Sequence, residues 1–431
     1  MPETKNDGAR SKTQIARNPI SRFFRALGPG LITGAADDDP SGIATYSVAG
    51  AQLGTALLWT ALITWPLMGA VQMMCARIGM TTGRGLAATL RLKFPAWLIA
   101  VASCGLFVAN TINIGADISG MAESTQMLTG IKSHWVVPLF GIAITAASIG
   151  WRYQQIARVL KWLALSLFSY VITGIVIHPP WPEVARSTIV PAWPANHDTW
   201  STLVAILGTT ISPYLFFWQS ATEVEEEKAM GLKTLAKRRG ATRRELADRR
   251  IDVGTGAFAS NLVMYFIILT TAFTLHRHGI TKIQTSLQAA EALRPLAGKF
   301  AASLFAAGVI GTGFLAIPTL AGSAAYAFAE TFAWRQGLDE TLRRARAFYG
   351  VFIAAMAIGI ALDFLNINPF EALYWTAVIN GLLAPPLLVG ILLVACDRSI
   401  MQGQPSSLLS RVVVGISTAL MFGAAIGMFI F

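Results

Sequence analysis

Three consecutive carboxylates, Asp37, Asp38 and Asp39, run directly into Pro40-Ser41-Gly42. Adjacent acids attract a cation, and their mutual repulsion favours a proton on at least one of them when none is present. Proline removes a backbone donor and clashes with the carbonyl four residues back, while a glycine loosens the following turn. A helix through this stretch is therefore expected to unwind, turning free carbonyls and at least one carboxylate into a wet cavity. A second interruption, Gly208-Thr209-Thr210-Ile211-Ser212-Pro213-Tyr214, repeats the pattern with hydroxyls in place of acids. Between them Asn110, Asn113 and Asp117 fall at i, i+3 and i+7, one face of a helix. The amides serve equally well as glue between helices, whereas Asp117 reads as a proton or ion relay. All of this is oxygen chemistry suited to holding a cation. Paired metalloprotease histidines, a phosphate-binding glycine–lysine loop and a nucleophile elbow are absent from the sequence.

The elements that carry these residues have to be membrane spans. Hydrophobic residues make up 54% of the 431, charged residues 13%, and mean hydropathy is +0.54; soluble domains carry about 25% charged residues. Charge-free runs long enough to cross a bilayer lie at 133–151, 162–182, 199–222, 253–275, 300–329, 372–396 and 412–431. Further candidates are 94–116, continuing through Asp117, and 347–362, bounded by Asp363. The run 40–76 divides between the end of a first helix beginning near Gly28 and a whole second one. The total is eleven spans. With the N-terminus placed inside, 28 of the 34 Lys and Arg fall on the cytosolic side and 6 on the other, the bias that a correct span count produces. This accounts for the net charge of +11 without a nucleic-acid partner. Residues 1–25 read as a basic cytosolic tail, with no apolar signal-peptide core. Cys75, Cys104 and Cys396 are too few and too scattered for a disulfide framework.

The two interruptions fall in spans one and six. Five spans is an odd number, so a repeat of that size is inserted upside down, and paired broken helices in inverted halves point to a transporter's substrate site. Gly308, Gly311, Gly313, Gly423 and Gly427 read as close-packing positions, and Asn261 and Asn380 as mid-span polar residues of either structural or site use. His276 and His278 read as a solvated pair. The charged segment from Glu223 to Arg250 reads as a solvated cytosolic loop.

Gly28-Pro29-Gly30, Asp39-Pro40, Ala49-Gly50-Ala51-Gln52-Leu53-Gly54 and Leu57-Leu58-Trp59 resemble the opening of the natural resistance-associated macrophage protein family of metal transporters. Ala76-Arg77-Ile78-Gly79, Thr82-Gly83-Arg84, Arg250-Ile251-Asp252, Glu291-Ala292-Leu293 with Pro295-Leu296, and Thr319-Leu320-Ala321-Gly322 extend the likeness over about residues 26 to 400. The resemblance implies an all-α integral membrane protein of the leucine-transporter type: two inverted five-helix repeats plus an eleventh helix, with helices one and six broken mid-membrane. The expected boundaries are 26–182, 199–396 and 408–431. It also implies a metal site on Asp39, with carbonyls from Ala36 and Thr209, and links Asp117 to proton movement.

The chain departs from the family pattern in four places. Gly42 stands where the family has asparagine, Ser212 where it has methionine and Tyr214 where it has histidine. Gly120 replaces a glutamate three residues after Asp117. A thioether favours softer transition metals, and an all-oxygen site suits Mg²⁺, Ca²⁺ or Mn²⁺. With Asp38, Ser41, Ser212 and Tyr214 adding only charge or oxygen near Asp39, the pattern is similar to the magnesium-transporting branch of the family. The expectation is an importer of a hard divalent ion with little or no proton coupling; a proton-coupled Mn²⁺/Fe²⁺ importer is the alternative. An organic solute, a membrane enzyme and a sensor fit the residues less well. No cofactor, nucleic acid or obligate protein partner is expected, only the metal ion and the lipid bilayer of a bacterial inner membrane.

Overall fold

The computed structural model describes residues 33, 34, 36–150, 165–192, 197–338, 340–365 and 367–431. The expected tail, 1–25, lies outside them. Every regular element among the described residues is helical. Residues 33, 34, 36 and 37 are helical, the chain bends at 38, and α1 (Pro40–Leu53) follows. Then come α2 (Trp59–Thr82), α3 (Leu86–Leu90), α4 (Ala96–Thr129), α5 (Ser133–Gly150), α6 (Phe168–Val176) and α7 (Trp181–Ile189). The second half holds α8 (His197–Thr210), α9 (Pro213–Ala229), α10 (Arg243–Thr274), α11 (Ala301–Thr331), α12 (Arg346–Leu362), α13 (Pro369–Ala395) and α14 (Leu408–Ile430).

Nine helices among the described residues are long and apolar enough to cross a membrane, with α8 and α9 together making one of them. The two remaining expected spans are the broken first helix and the one ending in α6; both begin in residues outside those described. The broken sixth helix is the most enclosed, with 94% of its most apolar stretch buried, against 28% for α5. Large apolar side chains such as Val101, Leu139, Ile142 and Phe429 face outward. An exposed apolar surface on this scale belongs against lipid. Inside the bundle α4 packs on α11, α12 and α13, α8 packs on α13, and α1 packs on α10.

Two helices overrun the apolar runs that mark them. With a rise of about 1.5 Å per residue, the 34 residues of α4 extend about 51 Å, well past a hydrocarbon core of about 30 Å. The helix α10 starts ten residues before its charge-free run, capped by Thr242, whose hydroxyl and the Glu245 carboxylate each satisfy the other's backbone N–H. The reading of 223–250 as a solvated loop is therefore corrected at its two ends, 223–229 and 243–250, which are helical, while the segment between them is largely exposed. Glu223 and Glu227 are buried on α9, and Arg249 on α10 bonds Glu223 (2.8 Å), Asp252 (2.7 Å) and Glu226. Charge alone marked this stretch as exposed, but Arg249 pairs with the buried Glu223 and Asp252 and with the partly exposed Glu226.

Two smaller expectations also change. His276 is not freely solvated, because its Nδ1 lies 2.8 Å from the Ala51 carbonyl and holds the end of α1. A side chain on Gly308, Gly313 or Gly427 would collide with Leu167, Met121 or Trp200, as close packing predicts, whereas Gly423 faces open space.

Candidate metal centre at the paired helix breaks

Each half-helix after a break starts the same way. Proline occupies the first position of α1 and of α9, where its missing N–H costs nothing and its fixed φ suits the helix. The residue before it is extended: Asp39 at φ −69°, ψ 170°, and Ser212 at φ −75°, ψ 132°. From there the two breaks diverge. Asp39 caps α1, its Oδ1 accepting from the Gly42 N–H at 2.6 Å. Ser212 does not cap α9 but turns back, its hydroxyl lying 2.8 Å from the Gly208 carbonyl and 2.6 Å from that of Thr209. It thus closes the C-terminal end of α8.

The breaks are joined at their centre. The Tyr214 hydroxyl, from the start of α9, donates to the Ala36 carbonyl at 3.1 Å. Asp39 Oδ2 accepts from Asn113 Nδ2 on α4 at 3.1 Å. A Cβ added to Gly42 would lie 3.1 Å from Thr209 Oγ1 and 3.4 Å from both the Asp37 carbonyl and Asp39 Oδ1. Position 42 therefore faces the space between the two breaks. Ala36, Asp39, Gly42, Thr209, Ser212 and Tyr214 come together as expected. Ser41 does not join them: its hydroxyl donates to the Leu373 carbonyl at 2.7 Å and lies 3.0 Å from Thr376 Oγ1 on α13. Asp38 turns away as well, its Oδ1 3.0 Å from the Ser260 hydroxyl on α10. Instead of opening on a wet cavity, Asp37, Asp38 and Asp39 are buried, with the Tyr214 side chain bridging to Ala36 across the break.

The polar stripe on α4 divides by function. Asn110 donates to the Leu320 carbonyl (2.8 Å) and to Ser323 Oγ (2.9 Å), which ties α4 to α11. Asn113, one turn on, touches the site. Asp117 is fully buried, neither of its carboxylate oxygens has a side-chain partner, and it lies in the field of Asp39. A buried acid with so few donors favours holding a proton or facing a cation. Asn261 proves structural, bonded to Thr64 Oγ1 (2.6 Å) and to the Ala257 carbonyl (2.9 Å). Two contributors were missed. Tyr46 follows Asp39 by seven residues on one helix face, a spacing that marks it. Ser260 lies 223 residues from Asp37, with nothing local to announce the pairing.

Chemically, two helix C-terminal ends present carbonyls, partly negative by the helix dipole, on either side of a buried carboxylate. A cation fits there. Opposed half-helices around a buried acid are the arrangement of a secondary transporter's substrate site. Solved structures agree on the fold. The manganese transporter of Eremococcus coleocola superposes with TM-scores of 0.68 to 0.70 at 16–17% identity, over 95% of this chain and 87% of its own. Mhp1, a nucleobase-cation-symport-1 family transporter, does so at 0.55 and 13% identity, over 93% and 92%. The chain has the leucine-transporter-type fold.

The natural resistance-associated macrophage protein-like family model matches residues 30–431, and the chain belongs to that family. Its relatives include the divalent metal cation transporters MntH of Caldanaerobacter subterraneus subsp. tengcongensis and of Deinococcus radiodurans. The first is 23% identical over 404 residues, 91% of this chain and 90% of the relative; the second is 24% identical over 413 residues, 91% and 87%.

Proposed function

We propose that this protein imports divalent metal cations by alternating access, taking a hard ion of the Mg²⁺ type with little or no proton coupling. Asp39 is the principal ligand, and the Ala36 and Thr209 carbonyls complete the inner set as Tyr214 and Ser212 release them. Asp38 adds negative charge from one residue away. The observation that carries the reading is the all-oxygen junction, where Gly42 packs closely between Asp39 and Thr209 and brings no ligand atom of its own. Mg²⁺ needs few carboxylates, so an oxygen site built on one or two aspartates serves it. Ser212 removes the soft ligand that would favour transition metals. Gly120 and Tyr214 remove two groups that the family pattern uses for protons.

The repeats are taken as 26–182 and 199–396, with 408–431 as the eleventh helix. The N-terminus is placed in the cytosol of a bacterial cell by the charge bias, and no obligate protein partner is required. The second reading, proton-coupled Mn²⁺ or Fe²⁺ import, is favoured by one feature: Asp117, buried beside Asp39 with no side-chain partner. The manganese transporter among the structural neighbours also weighs on its side. Uptake into proteoliposomes, with Mg²⁺ and Mn²⁺ in parallel and luminal pH recorded, separates them. Saturable Mg²⁺ flux without acidification is the expected result. Mn²⁺ flux that acidifies the lumen and ignores excess Mg²⁺ would overturn the magnesium reading.

A further inference from the structure

The ends of α9 and α11 meet the short helix α3 around a cavity of about 580 Å³. Four cations line it: Arg84 and Arg91 flank α3, Lys228 is on the last turn of α9, and Arg335 follows α11. Two acids line it as well, and both are already engaged. Glu330 is buried, accepting from the Ala88 N–H at 3.2 Å and from Gln336 Nε2 at 3.1 Å. Glu340 pairs with Arg335 at 2.9 Å, and Lys228 pairs with Glu225 at 2.7 Å. Arg91 donates to the Thr331 carbonyl, and no acid among the described residues pairs with Arg91 or Arg84. Two arginines thus face the cavity without a counter-charge.

Excess positive charge in a concave site attracts an anion, and the planar fork of an arginine matches a phosphate with two parallel bonds. The surroundings of the cavity indicate which phosphate. Leu92 and Trp334, on its wall, are 52% and 39% exposed, and Phe332 stacks on Trp334 with ring centroids 5.2 Å apart. Just beyond Leu92, α4 carries Trp97, Val101, Cys104 and Val108, which share one helix face by their spacing and are all exposed. Such a surface belongs against acyl chains. We propose that the cavity binds the phosphate of an anionic phospholipid whose acyl chains lie along that face of α4. Basic pockets between spans hold lipid headgroups in this way, and aromatic rings gather at the boundary between membrane and water. A soluble phosphate would use the arginines but gain nothing from the apolar rim.

The cavity's position gives the lipid a route to the metal junction. The half-helix α9 begins at the break, with Pro213 and Tyr214, and ends on the cavity with Lys228. A phosphate that engages Lys228 together with Arg84 and Arg91 ties the far end of α9 to α3. It favours the arrangement of α9 that gathers those cations, because a ligand shifts an equilibrium only through its differential affinity for the two states. The charge bias puts this face on the side of the N-terminus, taken above as cytosolic, and the cytoplasmic leaflet is where anionic headgroups set the surface potential. Lipid binding itself depends neither on which ion is transported nor on its direction.

The test uses the full chain in detergent micelles, with phosphatidylglycerol and phosphatidylcholine added in parallel. Melting temperature and the lipid retained in native mass spectra are the readouts. Phosphatidylglycerol is expected to be retained and to raise the melting temperature saturably, and phosphatidylcholine to do neither. Arg84→Gln removes a cation that no acid holds, so the fold is kept, and phosphatidylglycerol should bind about tenfold more weakly, the worth of one charge-assisted hydrogen bond. Lys228→Gln provides a second variant with the same expected loss. Arg398→Gln, which removes an exposed arginine outside the cavity, should bind as the wild type does. An equal loss in Arg398→Gln would overturn the proposal, because it would reduce the effect to diffuse attraction. So would full phosphatidylglycerol binding in both Arg84→Gln and Lys228→Gln. Inorganic phosphate and adenosine triphosphate, titrated without lipid, form the last arm. Stabilisation by either that Arg84→Gln abolishes, with no preference for phosphatidylglycerol over phosphatidylcholine, would assign the cavity to a soluble anion and overturn the lipid reading.

Discussion

Asp39 combines a structural and a functional role, and the two can be separated. Its Oδ1 caps α1 through the Gly42 N–H, while Oδ2 is held by Asn113. Asparagine retains an acceptor for the cap but removes the charge. Alanine removes both, and the loss of a cap typically costs about 1 kcal/mol. We therefore predict that Asp39→Asn and Asp39→Ala both abolish metal uptake, while only the alanine variant melts measurably lower. Wild-type uptake in Asp39→Asn would refute the ligand assignment. Ser212 shows a different economy. Its hydroxyl sits on the Gly208 and Thr209 carbonyls, and Tyr214 likewise sits on the Ala36 carbonyl. A cation using those carbonyls would have to displace both hydroxyls. Under the proposed reading, the residues that set selectivity are thus also the ones that satisfy the break in the absence of metal.

At the scale of elements, glycines decide how closely the broken helices approach their neighbours. A Cβ on Gly208 would overlap the Ala377 carbonyl and the Gly381 backbone of α13, and one on Gly381 would run into Val204. The crossing of α8 with α13 therefore depends on both glycines, and it positions the Thr209 end of α8 at the site. Overpacking a close contact costs typically about 1–3 kcal/mol. Gly208→Val should lower the melting temperature and depress uptake together, because separating the helices displaces the Thr209 carbonyl. Retained uptake at unchanged stability would show that the crossing tolerates a wider spacing. The same device at Gly34 and Gly256 brings the first half-helix onto α10.

Across the whole molecule, the ends of α9 and α10 are tied by Arg249, which bonds three acids from within the bundle. Gln219 adds a bond to Glu223 at 2.7 Å. Removing one partner of a buried ion network leaves its other charges uncompensated, at a cost of about 3–5 kcal/mol. Arg249→Met should therefore destabilise the protein far more than loss of an exposed pair such as Lys93–Asp397, whose groups are about a third exposed. Thermal melts of Arg249→Met and Lys93→Met, made side by side, check this; equal shifts would mean that the network contributes no more than a surface pair.

Much of this was present in the sequence because it depends on local properties. Composition alone required a membrane, since so few charges cannot keep this much apolar surface in water. Backbone chemistry alone placed the breaks, because proline and glycine act on their own turn: Pro40 and Pro213 open half-helices wherever the rest of the chain goes. The donor types at the junction followed from the same residues. Which partner each side chain takes was decided only by the tertiary structure. Ser41 and Asp38 flank Asp39 yet turn to α13 and α10, because neighbours on a helix point in different directions and the crossing partner decides what they meet. Glu223 and Arg249 read as solvated charges until α9 and α10 packed together and paired them. Ser260 reached Asp37 across 223 residues because two glycines let two backbones touch, a contact that neither stretch encodes without the other.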